Sequence, residues 1–305
     1  MTWSPAFIGI GAEKSATTWA WTVLNEHPSI CMSQPKELNY FNDDDNFRRG
    51  ESWYRKHFAV QTSCSGEISP LYMDDDLVAE RIRDVYPDTR ILAMLRNPFD
   101  RAISHLFHDA SVIYGNVAGL TPDDLLTLAR KNEKYIRRSC YASQLKPFLK
   151  HFPPEQIRCF FFDDVKADGL CLAQQLYEFV GVSPNFVSEQ FHRKVNHSQD
   201  LRPLHKVIKA MSQTARTFPP ARAAMEWTYR RTRIREKIIQ FMMVDRGRPE
   251  ILFDQVFSKE AAEILSGDLH MLNQQLDGAV PGAWRAHESF LPSDDSHDCG
   301  PLKAA

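Results

Sequence analysis

Short apolar runs alternate with longer stretches of helical periodicity over the first 180 residues of the chain. Residues 7–11 form a five-residue run that reads as a buried strand, as do 29–32, 64–68, 91–95 and 157–162. Between them, apolar positions recur at helical spacing over 18–25, 76–86, 99–113, 122–136, 141–151 and 170–180. Strands in alternation with helices predict an α/β, three-layer fold: a central parallel sheet with helices on both faces. The expected domain runs from 1 to 290. A mainly helical C-terminal region is expected over about 200–290, and a polar, disordered tail follows over 291–305.

The first strand leads through a polar loop, 12–17, into the first helix. That order brings a helix N-terminus, with its unpaired N–H groups, to a strand end, which suits an anion. Composition narrows the rest. At 305 residues with 43% hydrophobic and 25% charged positions, the chain reads as an ordinary globular protein. There is no run of 18 apolar residues and no secretory pattern at the start, so a cytoplasmic protein without a membrane span is expected. Six scattered cysteines without a Cys-x-x-Cys pair read as reduced thiols. The net charge of −2 hides an asymmetry: 193–248 holds 14 Lys or Arg against 4 Asp or Glu. An arginine-rich stretch at 226–243 reads as a solvated face rather than a nucleic-acid site, since no nucleic-acid motif accompanies it.

Two segments carry chemistry. In GIGAEKSATTW, 9–19, a nucleotide-kinase loop fails because Glu13 and Ile8 stand where its glycines belong. A dinucleotide fingerprint lacks its third glycine. Lys-Ser-Ala-Thr-Thr at a helix start can cradle a phosphate-like group, and it can equally be a loop with a capping hydroxyl and an exposed lysine. In ILAMLRNPFDRAISHLF, 91–107, Arg96 ends a strand and Pro98 opens a helix. Arg96 suits a bidentate phosphate contact, or an ordinary ion pair with Asp100.

Taken together, these segments resemble the PAPS-dependent sulfotransferase family (PAPS is 3′-phosphoadenosine 5′-phosphosulfate; its product is PAP), nearer its bacterial and glycosaminoglycan-type branch. The likeness rests on K-S-A-T-T-W and R-N-P-F-D-R-A-I-S, supported by S-Q-P-K-E-L-N-Y-F, G-E-I-S-P-L-Y and Y-A-S-Q-L-K-P-F-L-K-H-F-P, and covers about two thirds of the chain. The resemblance implies a P-loop-like fold and a sulfuryl transfer from PAPS to a hydroxyl or amine, with no metal. Lys14 then stabilises the leaving phosphate oxygen, and Ser15, Ala16, Thr17, Thr18 and Trp19 line the 5′ end of the cofactor. Arg96 and Ser104 hold its 3′-phosphate, Lys194 (or Arg193) lies over it, and Glu37 serves as general base. Ala16 replaces a common glycine, which is tolerable at negative φ. Ile68 stands where glycosaminoglycan-type members place a lysine, which argues against a heparan-like acceptor. His105 and His108, one turn apart, read as surface or acceptor-pocket histidines rather than metal ligands. The acceptor is a small molecule or carbohydrate, anionic if the 193–248 charge faces it. The rival readings are an ATP-dependent kinase on the same scaffold and a catalytically silent PAP-binding module.

Overall fold

The computed structural model describes residues 3–59, 64–114, 117, 119–188 and 250–284. Five parallel strands form one sheet in the order β2-β3-β1-β4-β5. They are β1 Phe7–Gly11, β2 Cys31–Met32, β3 Ser65–Ile68, β4 Arg90–Leu95 and β5 Ile157–Phe161. Every residue of β1 is buried, as expected for an inner strand of a parallel sheet covered on both faces. Phe7 pairs with Gly66, and its ring takes the space a side chain there would fill: a Cβ on Gly66 would lie 2.4 Å from Phe7 Cζ.

Alternate side chains serve opposite faces. Ile8, Ile10, Ile91, Ala93 and Leu95 join a core with helices α4 (Leu77–Val85), α8 (Tyr141–His151) and α10 (Lys259–Gln275). Against the other face lie α1 (Thr17–Glu26) and α9 (Phe162–Val180), with Phe160 of β5 meeting Phe179 edge-on. From β1 the chain builds outward to β2 and β3, then crosses to β4 on the other side. The order in which strands are added therefore switches sides between β1 and β4, where open α/β sheets hold ligands beyond their carboxyl ends. The loop holding Lys14 and the turn holding Arg96 both leave the sheet there.

Some elements depart from expectation. The single helix expected over 122–136 is two, α6 (Pro122–Arg130) and α7 (Lys134–Arg137), because the Asn132 side chain accepts from the Lys134 N–H and starts a new turn. α9 begins eight residues before the expected 170, but Asp168 leaves helical geometry at φ −154 and recaps the chain by accepting from Cys171 N–H. The short helices α2 (Asp44–Arg48) and α3 (Glu51–Arg55) are five residues each, too short to show a period. α5 (Pro98–Tyr114) follows β4 as expected. Of the helical region expected over 200–290, the described residues show a short 3-10 turn and α10; the rest, with the 291–305 tail, lies outside them. Among the described residues no helix is long and apolar enough to cross a membrane.

α10 also completes α8. Buried Asp268 accepts from the Ala142 N–H at 2.8 Å, the Ser143 N–H at 3.1 Å and the Ser143 hydroxyl at 2.9 Å. A carboxylate at a helix N-terminus satisfies orphan donors and meets the positive end of the dipole.

Candidate active site

After β1 the backbone enters the left-handed region at Lys14 (φ 70) and at Ala16 (φ 64). The negative φ expected for Ala16 is therefore corrected. Alanine holds a conformation that costs an L-residue roughly 1–2 kcal/mol, and it does so at the N-cap of α1. α1 starts with no side-chain cap and no acidic residue in its first turn, so its positive end meets no negative charge from its own sequence. Of the predicted lining residues, Ser15, Thr17 and Trp19 are buried, while Lys14, Ala16 and Thr18 are half-buried. Ser15 lies against Tyr141, whose hydroxyl donates to the Arg96 carbonyl at 2.9 Å. The first residue of α8 thus ties the two strand-end segments together.

Arg96 has only 19% of its side chain exposed. Its Cζ lies 4.7 Å from the centre of the Phe162 ring and an Nη 4.0 Å from a carboxylate oxygen of exposed Asp100. The expected ion pair with Asp100 is present but long, and among the described residues the buried Arg96 Nε has no hydrogen-bond partner. A buried guanidinium N–H without an acceptor is costly, which fits a residue that meets an anionic group. Ser104 is half-buried on α5, and among the described residues no hydrogen bond joins it to Arg96. Lys194 and Arg193 lie outside the described residues.

Lys14 lies within electrostatic reach of Glu37. Burial lowers the Lys14 pKa, while Glu13, Asp109 and Glu37 act in the opposite direction. Glu37 is exposed at φ 65, and its carboxylate pairs with the Lys36 ammonium.

Behind Lys14 lies a buried relay that sequence reasoning missed. Arg101 is fully buried; its Nε donates to the Ser139 hydroxyl at 2.6 Å, one Nη to the Tyr135 carbonyl, and the other contacts His105 Nδ1 at 3.3 Å. Arginine can only donate, so Nδ1 accepts, and the imidazole proton sits on Nε2, 3.4 Å from Glu13 Oε2. Burial, reinforced by Arg101, pulls the His105 pKa down to about 3. The expectation of a surface or acceptor-pocket histidine is therefore corrected: His105 is 2% exposed, neutral and tied into the core. His108 is half-buried, its pKa lowered first by burial and then by the Lys14 charge. Arg138 closes the relay, reaching Glu13 at 3.0 Å and Asp74 at 2.9 Å. The legible trace of this relay was the four-residue spacing of Arg101 and His105.

Ile68 is fully buried and packs on Gly9, where a Cβ would lie 2.6 Å from Ile68 Cγ1. Among the described residues no group of three His, Cys, Asp or Glu side chains is arranged to hold a metal.

Comparison with known proteins gives a consistent result. Residues 5–237 match the family model of the sulfotransferase domain. The chain is 29% identical over 188 residues to heparan sulfate glucosamine 3-O-sulfotransferase 5 of Mus musculus, covering 59% of this chain and 54% of that protein. It is 26% identical over 199 residues to the bifunctional heparan sulfate N-deacetylase/N-sulfotransferase 3 of Homo sapiens, covering 60% of this chain and 23% of that protein. The chain thus spans about half or less of the length of these relatives. The crystal structure of a sulfotransferase from Alicyclobacillus acidocaldarius aligns with a TM-score of 0.53 at 26% identity, over 76% of this chain and 98% of that one. A strand-end loop and an uncapped helix beside a half-buried arginine fit a phosphate-bearing donor. Since the domain model matches well over half of the sequence that builds them, the chain belongs to the sulfotransferase family.

Proposed function

We propose that this protein transfers a sulfuryl group from PAPS to a hydroxyl or amine of a small-molecule or carbohydrate acceptor. What supports the reading is the uncapped start of α1 and the Arg96 Nε, which has no hydrogen-bond partner among the described residues, both at the switch point of the sheet, with Lys14 on the loop that leads into α1 and Glu37 within its electrostatic reach. Glu37 takes the acceptor proton as the acceptor atom bonds to sulfur. Lys14 meets the negative charge left on the departing phosphate oxygen as its bond to sulfur breaks. Arg96 and Ser104 hold the 3′-phosphate and the α1 N-terminus holds the 5′ end, with Lys194 a further cofactor contact. The chemistry is one of positioning and charge stabilisation, as in phosphoryl transfer.

In this reading the acceptor occupies a polar cavity near Glu13. A cavity of about 530 Å³ is lined by Asn42, Leu71, Asp74, Asp75, Asp76, Arg137 and Arg138, and Arg138 links it to Glu13 beside Lys14. Mixed carboxylates and guanidiniums suit a polyhydroxylated or amino-bearing acceptor. Ile68, at the position where the resemblance led one to expect a lysine, is a core residue, which argues against a heparan-like acceptor. The test is transfer of label from [³⁵S]PAPS to a panel of polyols, phenols, amines and oligosaccharides. Glu37→Gln should lower turnover by ~10²–10⁴-fold with PAP affinity unchanged. Near-normal turnover in that variant would place the base elsewhere, and absence of transfer to any acceptor would favour a PAP-binding module.

A further inference from the structure

Glu67, the last residue but one of β3, has no exposed surface, and burial raises its carboxyl pKa. Such a group is retained only where donors compensate its desolvation. Its two oxygens accept from the Ser69 hydroxyl and the Tyr72 hydroxyl, each at 2.8 Å, and both of those residues are themselves fully buried. A hydroxyl that donates one way keeps lone pairs for the other. Ser69 Oγ accepts from the Asn39 N–H at 3.1 Å; the Tyr72 oxygen accepts from the N–H groups of Tyr40 at 2.9 Å and Phe41 at 3.4 Å. The Leu38 backbone N–H acts on the carboxylate itself. Four successive N–H groups, 38–41, therefore end on one buried carboxylate, directly or through a single hydroxyl.

Those four residues follow Glu37 without a gap, and both Glu37 (φ 65) and Asn39 (φ 49) sit in the left-handed region. Residues other than glycine persist there only when their surroundings over-determine the backbone. We propose that Glu67 is the positioning residue of the Glu37 loop: through Ser69 and Tyr72 it fixes residues 38–41 and thereby aims the Glu37 carboxylate. The catalytic half of this statement rests on Glu37 being the base; the anchoring half does not. The polarity requires a carboxylate. A carboxylate only accepts, so both hydroxyls must point inward and present lone pairs to the loop, whereas an amide would offer donors and turn one relay around.

Hydrogen exchange in the full chain separates the two halves. Tyr72→Phe removes one relay oxygen, and Glu67→Gln reverses part of the polarity. In both variants the 38–41 amides should exchange at least ~10-fold faster, while the 15–19 amides keep their protection. Turnover should fall at least ~10-fold with PAP affinity unchanged, as expected when a catalytic group is displaced without being removed. Unchanged protection of 38–41 in Tyr72→Phe overturns the proposal, whatever happens to turnover. Faster exchange with normal turnover upholds the anchor and removes Glu37 as the base. Should Glu67→Gln fail to fold, Tyr72→Phe alone carries the test, because it deletes a single oxygen.

Discussion

The two catalytic candidates stand on loops backed by buried charges of opposite sign. Beneath the lysine loop lies Arg101, whose positive charge reaches Glu13 through neutral His105. Beneath the glutamate loop lies Glu67, whose negative charge reaches the backbone through Ser69 and Tyr72. In each case a neutral group stands between the buried ion and the site, but the two relays end differently. The first ends on a side chain and sets the charge beside Lys14. The second ends on main-chain N–H groups and sets where Glu37 stands. One arrangement governs electrostatics and the other geometry, so damage to them should be distinguishable.

The largest effect is expected from Arg101→Met. Loss of the guanidinium leaves His105 Nδ1 buried without a donor and strips one of two donors from the Tyr135 carbonyl, which keeps the Ser139 hydroxyl. Stability should fall by about 3 kcal/mol in denaturant unfolding, with exchange at 38–41 unchanged in the folded state. A cost below about 1 kcal/mol would mean that the relay is solvated.

A pH titration should show the two relays pulling in opposite directions. His105 is held near 3, against an ordinary value of 6.5, so the unfolded chain binds a proton that the folded chain refuses. Its contribution is complete above pH 6.5 and is lost as pH falls from there toward 3. Glu67 is raised above its ordinary 4.5, so the folded chain takes up a proton first, and stability is gained as pH falls through the folded value toward 4.5. His105→Gln should therefore flatten the acid side of the stability profile, and Glu67→Gln should steepen it. The same sign for both variants would refute the comparison.

The smallest expected quantity is the coupling between the relays. Among the described residues they share no hydrogen-bond partner, so the stability costs of Arg101→Met and Tyr72→Phe should add within about 0.5 kcal/mol in a double-mutant cycle. A larger coupling would mean that they form one network.

These relays mark the limit of what the sequence discloses. β1 and α8 lie at the expected bounds, because a five-residue apolar run and an amphipathic eleven-residue stretch each have one structural solution. The lysine loop and Arg96 were visible because each is contiguous with the strand that presents it. Glu67 was legible only as part of a short motif, since its meaning depends on 38–41 meeting 67–72, a contact no periodicity encodes. Arg101 was hidden for the opposite reason: a charged residue in an amphipathic helix reads as solvent-facing, and here it occupies the core. Ala16 shows how a backbone imposed by the loop overrides the preference of the residue that occupies it.

The cap that Asp268 places on α8 has a consequence for the order in which the protein is made. Tyr141, which joins Arg96 to the lysine loop, is the first residue of α8, and the carboxylate that caps this helix belongs to a segment 126 residues later. Every strand of the sheet will have left the ribosome before that cap exists. The nascent chain can assemble the sheet and still hold an α8 whose first turn has no acceptor from this carboxylate. That first turn, and with it the Tyr141 tie to Arg96, gains its cap only once the segment bearing Asp268 is synthesised and docks.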